Sequence, residues 1–161
     1  MTQPQRIIFK DDGSIPNSRY AVLLYRGATD LDNRYPASSM EERFLANHWT
    51  NSWRNGIYTF HHFHSTSHEV LGIYRGSASV RLGGEHGRDF IVEAGDVVVI
   101  PAGVGHKNLG ATRQFGVVGA YPDGRPCDLL RAGQANIHAQ IRTLRRSQYR
   151  AKTRSMAPMV R

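Results

Sequence analysis

His62, His64, Glu69 and His106 are spaced as a transition-metal site built on strands requires. Side chains alternate across a β-strand, so the i and i+2 pair His62 and His64 can aim two imidazoles at one point. Ser65, Thr66 and Ser67 follow as a polar, turn-forming run, after which Glu69 can offer a carboxylate from the next strand. His106 completes the set from farther along the chain. Three neutral imidazoles and one carboxylate leave one or two positions open on a five-coordinate or octahedral ion, and an open position separates a catalytic site from a structural one. Iron, manganese, nickel and zinc all suit such donors, and affinity alone does not choose among them. Any one of these histidines taken singly reads more simply as a packed or titrating side chain. Their joint spacing makes the metal reading. His61 and His68 have the opposite strand parity to their neighbouring ligands and are expected to point away from the site. Only a register shift at the Ser65–Ser67 turn would bring His68 in.

Two blocks carry these residues. In the first, Gly56, five residues, His62, one residue, His64, four residues, Glu69, six residues and Gly76 resemble the first conserved motif of the cupin superfamily, gaps included. In the second, Gly95, five residues, Pro101, one residue, Gly103, two residues and His106 resemble the second cupin motif. The chain departs from that motif at Gly110, where the family usually has Asn, and carries Asn108 instead. The departure concerns a hydrogen bond at a strand end and no metal ligand. The resemblance implies an all-β fold, a cupin-like jelly-roll β-barrel, with His62, His64, Glu69 and His106 as ligands of one divalent transition metal (Fe, Mn, Ni or Zn). It also implies a homodimer paired through sheet edges, to which an N-terminal strand could add. The function it suggests is a metal-dependent enzyme acting on a small organic molecule, of oxygenase, isomerase or lyase type. The alternative is a non-catalytic binder of a small ligand with the metal as anchor. The fold itself does not rank the two.

The elements that must position these residues read as follows. Residues 1–19 form an arm in which Arg6 to Phe9 can pair with a sheet, followed by a turn at Asp11, Asp12, Gly13, Pro16 and Asn17. Tyr20 to Tyr25 is a strand. Ser38 or Ser39 can cap a helix in the N-terminal half, with Phe44, Leu45 and Trp49 as its apolar stripe and an end near Thr50 to Asn55. Short strands then follow at Ile57–His64, Glu69–Tyr74, Ala78–Leu82, Phe90–Val92, Asp96–Ile100, around His106 and at Gln114–Tyr121. So many short strands suit a barrel or sandwich. A partial helical period over Ala135–Ser147 predicts a C-terminal helix outside the barrel. Parity puts Tyr58 and Phe60 on the face of His62 and His64, and Leu71 and Ile73 on that of Glu69. These four are the expected substrate-binding residues, in a largely apolar pocket. Gln114 and Tyr121 are weaker candidates, while Trp49 and Trp53 are expected to seal the helix against the barrel. Gly103 and Gly105 serve backbone geometry.

At 161 residues the chain is long enough for one self-sufficient core. Residues 20–125 are read as the barrel, with the arm before them and a helix and basic tail over 126–161. The single Cys127 excludes an intramolecular disulfide and a zinc site built on cysteines. With the absence of a signal peptide or an apolar run of spanning length, it predicts a cytoplasmic protein with no membrane partner. The net charge of +8 is concentrated in residues 142–161, where seven Lys and Arg stand without an acid. The rest of the chain holds fourteen basic against thirteen acidic residues. Apart from Tyr149 the tail lacks interleaved aromatics, so a solvated tail is the simpler reading and a nucleic-acid partner is not expected.

Overall fold

The computed structural model describes residues 3–133. The expected C-terminal helix at 135–147 and the basic tail lie outside the described residues. Eleven strands and one helix follow in the order β1 (Gln5–Phe9), β2 (Ser18–Tyr25), α1 (Pro36–Ala46), β3 (Trp49–Asn55), β4 (His62–Phe63), β5 (Glu69–Arg75), β6 (Ser77–Leu82), β7 (Arg88–Glu93), β8 (Val97–Ile100), β9 (His106–Ala111), β10 (Gly116–Pro122) and β11 (Leu130–Arg131). They form two antiparallel sheets, one of six strands in the order β1-β2-β8-β5-β10-β3 and one of five in the order β11-β4-β9-β6-β7.

The sheets face each other across the main core. Val22, Leu24, Leu71, Ile73, Val98, Ile100 and Val117 of the larger sheet pack against Ala78, Val80, Leu82, Phe90 and Val92 of the smaller. Alternate residues of the larger sheet point the other way, where Val70, Val97, Val99, Val118 and Ala120 meet Ala37, Met40 and Phe44 of α1. A strand covered on both faces has no polar side, which is why β8 reads as the unbroken run Val97–Ile100. Full burial of Met40 and Phe44 contributes about 1.5–3 kcal/mol each. Gly72 makes the close approach of α1 feasible, since a Cβ there would lie 2.5 Å from the Met40 sulfur. Asp96, beside the second-motif Gly95, is only 2% exposed. It accepts hydrogen bonds from Arg26 Nη1 at 2.7 Å and Gly27 N at 2.9 Å, tying the end of β2 to the start of β8.

Four expectations are corrected. The helix starts at Pro36, with Tyr35 at the N-cap and no side-chain cap bond, in place of a Ser38 or Ser39 cap. It also ends at Ala46, where the chain turns back through His48 in the left-handed region (φ 63°). Its buried stripe is Ala37, Met40 and Phe44, whereas Leu45 is 63% exposed. Trp49 and Trp53 therefore belong to β3, an edge strand paired with β10. Finally, the expected strand over Ile57–His64 shrinks to His62–Phe63. Residues 56–61 carry the chain from the edge of the larger sheet to the smaller one, and a crossing segment cannot stay in either ladder.

Candidate metal centre

The smaller sheet supplies the histidines. His62 on β4 lies directly opposite His106 on β9, with ring centroids 4.0 Å apart. His64 follows β4 by one residue, with its ring centroid 5.8 Å from that of His62. Ligand atoms of the three rings all lie within 4.8 Å of one another. The larger sheet supplies Glu69, the first residue of β5, whose Oε2 is 3.2 Å from His106 Nε2 and 3.4 Å from His64 Nε2. All four side chains are buried, Glu69 at 3% exposure and His106 at 2%.

The hydrogen bonds around this cluster fix what it can bind. His62 Nδ1 donates to Phe60 O at 3.3 Å, His106 Nδ1 to Val104 O at 3.2 Å, and His64 Nδ1 to Asp128 O. A carbonyl only accepts, so each neutral ring carries its proton on Nδ1 and presents an Nε2 lone pair to the centre. Glu69 Oε2 is buried without a hydrogen-bond partner despite its two close imidazole nitrogens. Four acceptors converging with no donor between them are mutually repulsive unless a cation joins them. Ligands that surround one ion at about 2.1 Å sit about 3 Å from their neighbours, close to the 3.2 and 3.4 Å that separate Glu69 Oε2 from the His106 and His64 Nε2 atoms. The donor set fits a transition metal.

In metal-free protein a proton answers the carboxylate instead. Burial disfavours charge on His64, but hydrogen bonding to Cys127 and Glu69, together with the charge of Glu69, pushes it up to about 11. His62 is pushed down to about 3, first by burial and then by His106. Burial works against ionised Glu69, yet contacts with His106 and His64 hold it well below the usual carboxylate range.

Above the cluster lies a cavity of about 300 Å³ whose apolar walls include Trp53, Ile57, Leu71 and Leu129. Tyr58, Tyr121 and Cys127 add polar atoms. Trp53 Nε1 donates to the Tyr121 hydroxyl at 3.0 Å, and the indole lies flat over Gly119, where a Cβ would come within 2.1 Å of the ring. Tyr121 and His64 both hydrogen-bond Cys127. Burial and the charge of Glu69 raise the Tyr121 pKa well above the usual phenol value.

Of the four residues expected to contact substrate, Tyr58 and Leu71 line the cavity. Phe60 stacks on Tyr58, with centroids 4.8 Å apart, and Ile73 is sealed in the core, so neither reaches the cavity lining. The parity that grouped Tyr58 with Phe60 presumed a strand that residues 56–61 do not form. Gln114 is exposed and does not line the cavity, its carbonyl accepting from Arg75 Nε. His61 pairs with Glu85 at 2.9 Å, and His68 Nδ1 accepts from Ala102 N at 2.8 Å, so both lie outside the cluster. Asn108, present where the second motif departs, accepts from Gly110 N at 2.8 Å. Sequence reasoning missed Trp53, Ile57, Cys127 and Leu129 as cavity residues. Trp53 and Ile57 lie next to the first motif, but no local signal pointed to Cys127 or Leu129.

No protein-family model matches the sequence. The uncharacterised protein YjlB of Bacillus subtilis is 40% identical over 136 residues, covering 83% of this chain and 78% of that protein. Among solved structures, acireductone dioxygenase from Bacillus anthracis, with a cadmium ion in its active centre, superposes with a TM-score of 0.46 at 16% identity over 66% of this chain and 82% of that one. A variant of Bacillus subtilis oxalate decarboxylase gives 0.41 at 19% identity over 69% and 27%. Procruciferin, an 11S globulin of Brassica napus, gives 0.42 at 20% identity over 53% and 23%, so the chain spans about a quarter of that seed globulin's length. At 40% identity over 83% of its length, the chain belongs to the family of the uncharacterised protein YjlB.

Proposed function

We propose that the protein is a metal-dependent enzyme acting on a small organic molecule, with His62, His64, Glu69 and His106 holding one divalent iron, manganese, nickel or zinc ion. The observation that carries this reading is the orphaned Glu69 Oε2 facing imidazoles whose protons are turned away from it. Such an ion, when bound, supplies Lewis-acid or redox chemistry at its open position. The chain's own residues do the rest. Trp53, Ile57, Leu71 and Leu129 exclude water and favour a partly apolar ligand, and about 300 Å³ limits it to the small end of the usual range. The Tyr121 hydroxyl accepts from Trp53 and keeps its proton at neutral pH, so it acts as a hydrogen-bond donor. Tyr58, half-exposed on the cavity lining, would carry protons between the site and solvent.

The test is a turnover screen of protein loaded separately with each of the four metals, over small oxygenated organic compounds. The proposal expects a hit that is lost in His106→Ala. Stabilisation by a compound without turnover favours the second reading, a binder that uses the metal as anchor. The exposed cavity mouth allows that reading. We also assign the protein to the cytoplasm and to a homodimer paired through a sheet edge such as β1, which has no strand on its outer side among the described residues. A sedimentation mass equal to the 18.1 kDa monomer at micromolar concentration contradicts the dimer.

A further inference from the structure

Residues 126–131 run across the cavity, and one side chain fastens them. Cys127 and Leu129 line the cavity, while Asp128 between them faces the Ser65–Thr66 turn, the alternation expected of extended chain. The Asp128 carboxylate accepts from Ser65 N at 2.7 Å, Ser65 Oγ at 2.5 Å, Thr66 N at 3.2 Å and Thr66 Oγ1 at 3.2 Å. Its own amide donates to Thr66 Oγ1 at 3.1 Å. Beyond it, Leu130 and Arg131 pair with Phe63 and His62 as β11 on β4. The Asp128 carbonyl, held in place by these bonds, accepts the hydrogen bond of His64 Nδ1. The other two imidazoles lean on carbonyls two residues back in their own segments, Phe60 and Val104. His64 alone depends on a carbonyl 64 residues away.

We propose that Asp128 is a positioning residue that straps residues 126–131 across the cavity and thereby sets the orientation of His64, so that metal retention and closure of the cavity wall are one coupled event. This rests on the metal reading above. The strap is a second reader of the site: displacing it removes the acceptor that fixes the His64 ring and withdraws Cys127 and Leu129 from the wall. The side chain acts by hydrogen bonding, because its oxygens meet two amides and two hydroxyls and no cation among these contacts. An asparagine can keep the geometry, with Oδ1 accepting from the amides and Nδ2 donating to Ser65 Oγ.

The test uses full-length metal-free protein, zinc as the probe metal, a competing chelator to read affinity, and the lone Cys127 as reporter through its rate of reaction with a disulfide reagent. Asp128→Ala is expected to bind zinc about 10- to 100-fold more weakly, the usual cost of losing an outer partner of a ligating histidine. Its Cys127 should react faster than in the wild type, and zinc should no longer slow that reaction. Asp128→Asn should restore both. Should Asp128→Ala not fold, the Ser65→Ala, Thr66→Val pair loosens the same tie from the opposite side and is read in the same way. Unchanged zinc affinity and unchanged Cys127 reactivity in Asp128→Ala overturn the proposal, as does an asparagine variant no better than alanine. Wild-type protein that takes up no zinc or other divalent metal counts against the metal reading instead, and Cys127 reactivity in Asp128→Ala still reports on the strap.

Discussion

Glu69 places a carboxylate where water does not reach, beside His62 and His106 rings whose Nδ1 groups are committed to backbone carbonyls. Removing one imidazole leaves that charge with fewer partners, so His106→Ala should lower metal affinity by more than the roughly hundredfold that outer partners cost. Competition with a chelator, alongside a far-ultraviolet spectrum to show retained sheet, checks it. The pH behaviour follows from the same cluster. In metal-free protein His64 is raised to about 11, above its unfolded value of about 6.5, so its contribution to stability is complete below about 6.5 and is lost as pH rises toward 11. His62 is depressed to about 3, so the unfolded chain takes up the proton first and stability falls as pH drops from about 6.5 toward 3. Thermal melts of chelator-treated protein should peak near neutral pH, and metal uptake at pH 7 should release about one proton from His64, measurable by calorimetry in buffers of different ionisation enthalpy. A flat melting profile or no proton release contradicts this assignment. The four clustered residues were legible in the sequence because their spacing is set by strand alternation and short turns. Cys127 and Leu129 were not, because Asp128 docks on a turn more than sixty residues away and no local period records it.

Among the elements, two glycines on the larger sheet point in opposite directions. Gly72 on β5 faces α1, whereas Gly119 on β10 faces the Trp53 indole that walls the cavity. Alanine at position 72 should press on Met40 and Phe44 and cost about 1–3 kcal/mol in a denaturant titration without changing metal content. Alanine at position 119 should displace the indole, break its bond to Tyr121 and change tryptophan fluorescence and small-ligand binding. If Gly72→Ala loses metal, the helix side and the cavity side of the sheet are not independent. The sequence announced β5 and β8 through their apolar runs and flanking glycines. It concealed β3, because a polar edge strand follows α1 with no glycine or proline between them, the reversal being made by His48 at φ 63°. The apolar pair Trp49 and Trp53, spaced by four, mimics a helical stripe.

For the whole molecule, metal binding and charge are assigned to different parts of the chain. The two facing sheets hold the cluster, and the excess positive charge lies in residues 142–161. A chain ending at residue 141 should keep its metal and elute from a polyanion column at lower salt than the full chain. Loss of metal on that truncation would tie the tail to the site. Among the described residues no helix is long and apolar enough to cross a membrane. The central claim is that His62, His64, Glu69 and His106 form one metal centre, and elemental analysis tests it most directly. Untagged protein purified without chelators is compared with the His62→Ala, His64→Ala double variant, metal against protein concentration. The account predicts near-stoichiometric iron, manganese, nickel or zinc in the wild type and its loss in the variant. Equal metal in both, or none in either even after reconstitution, contradicts it.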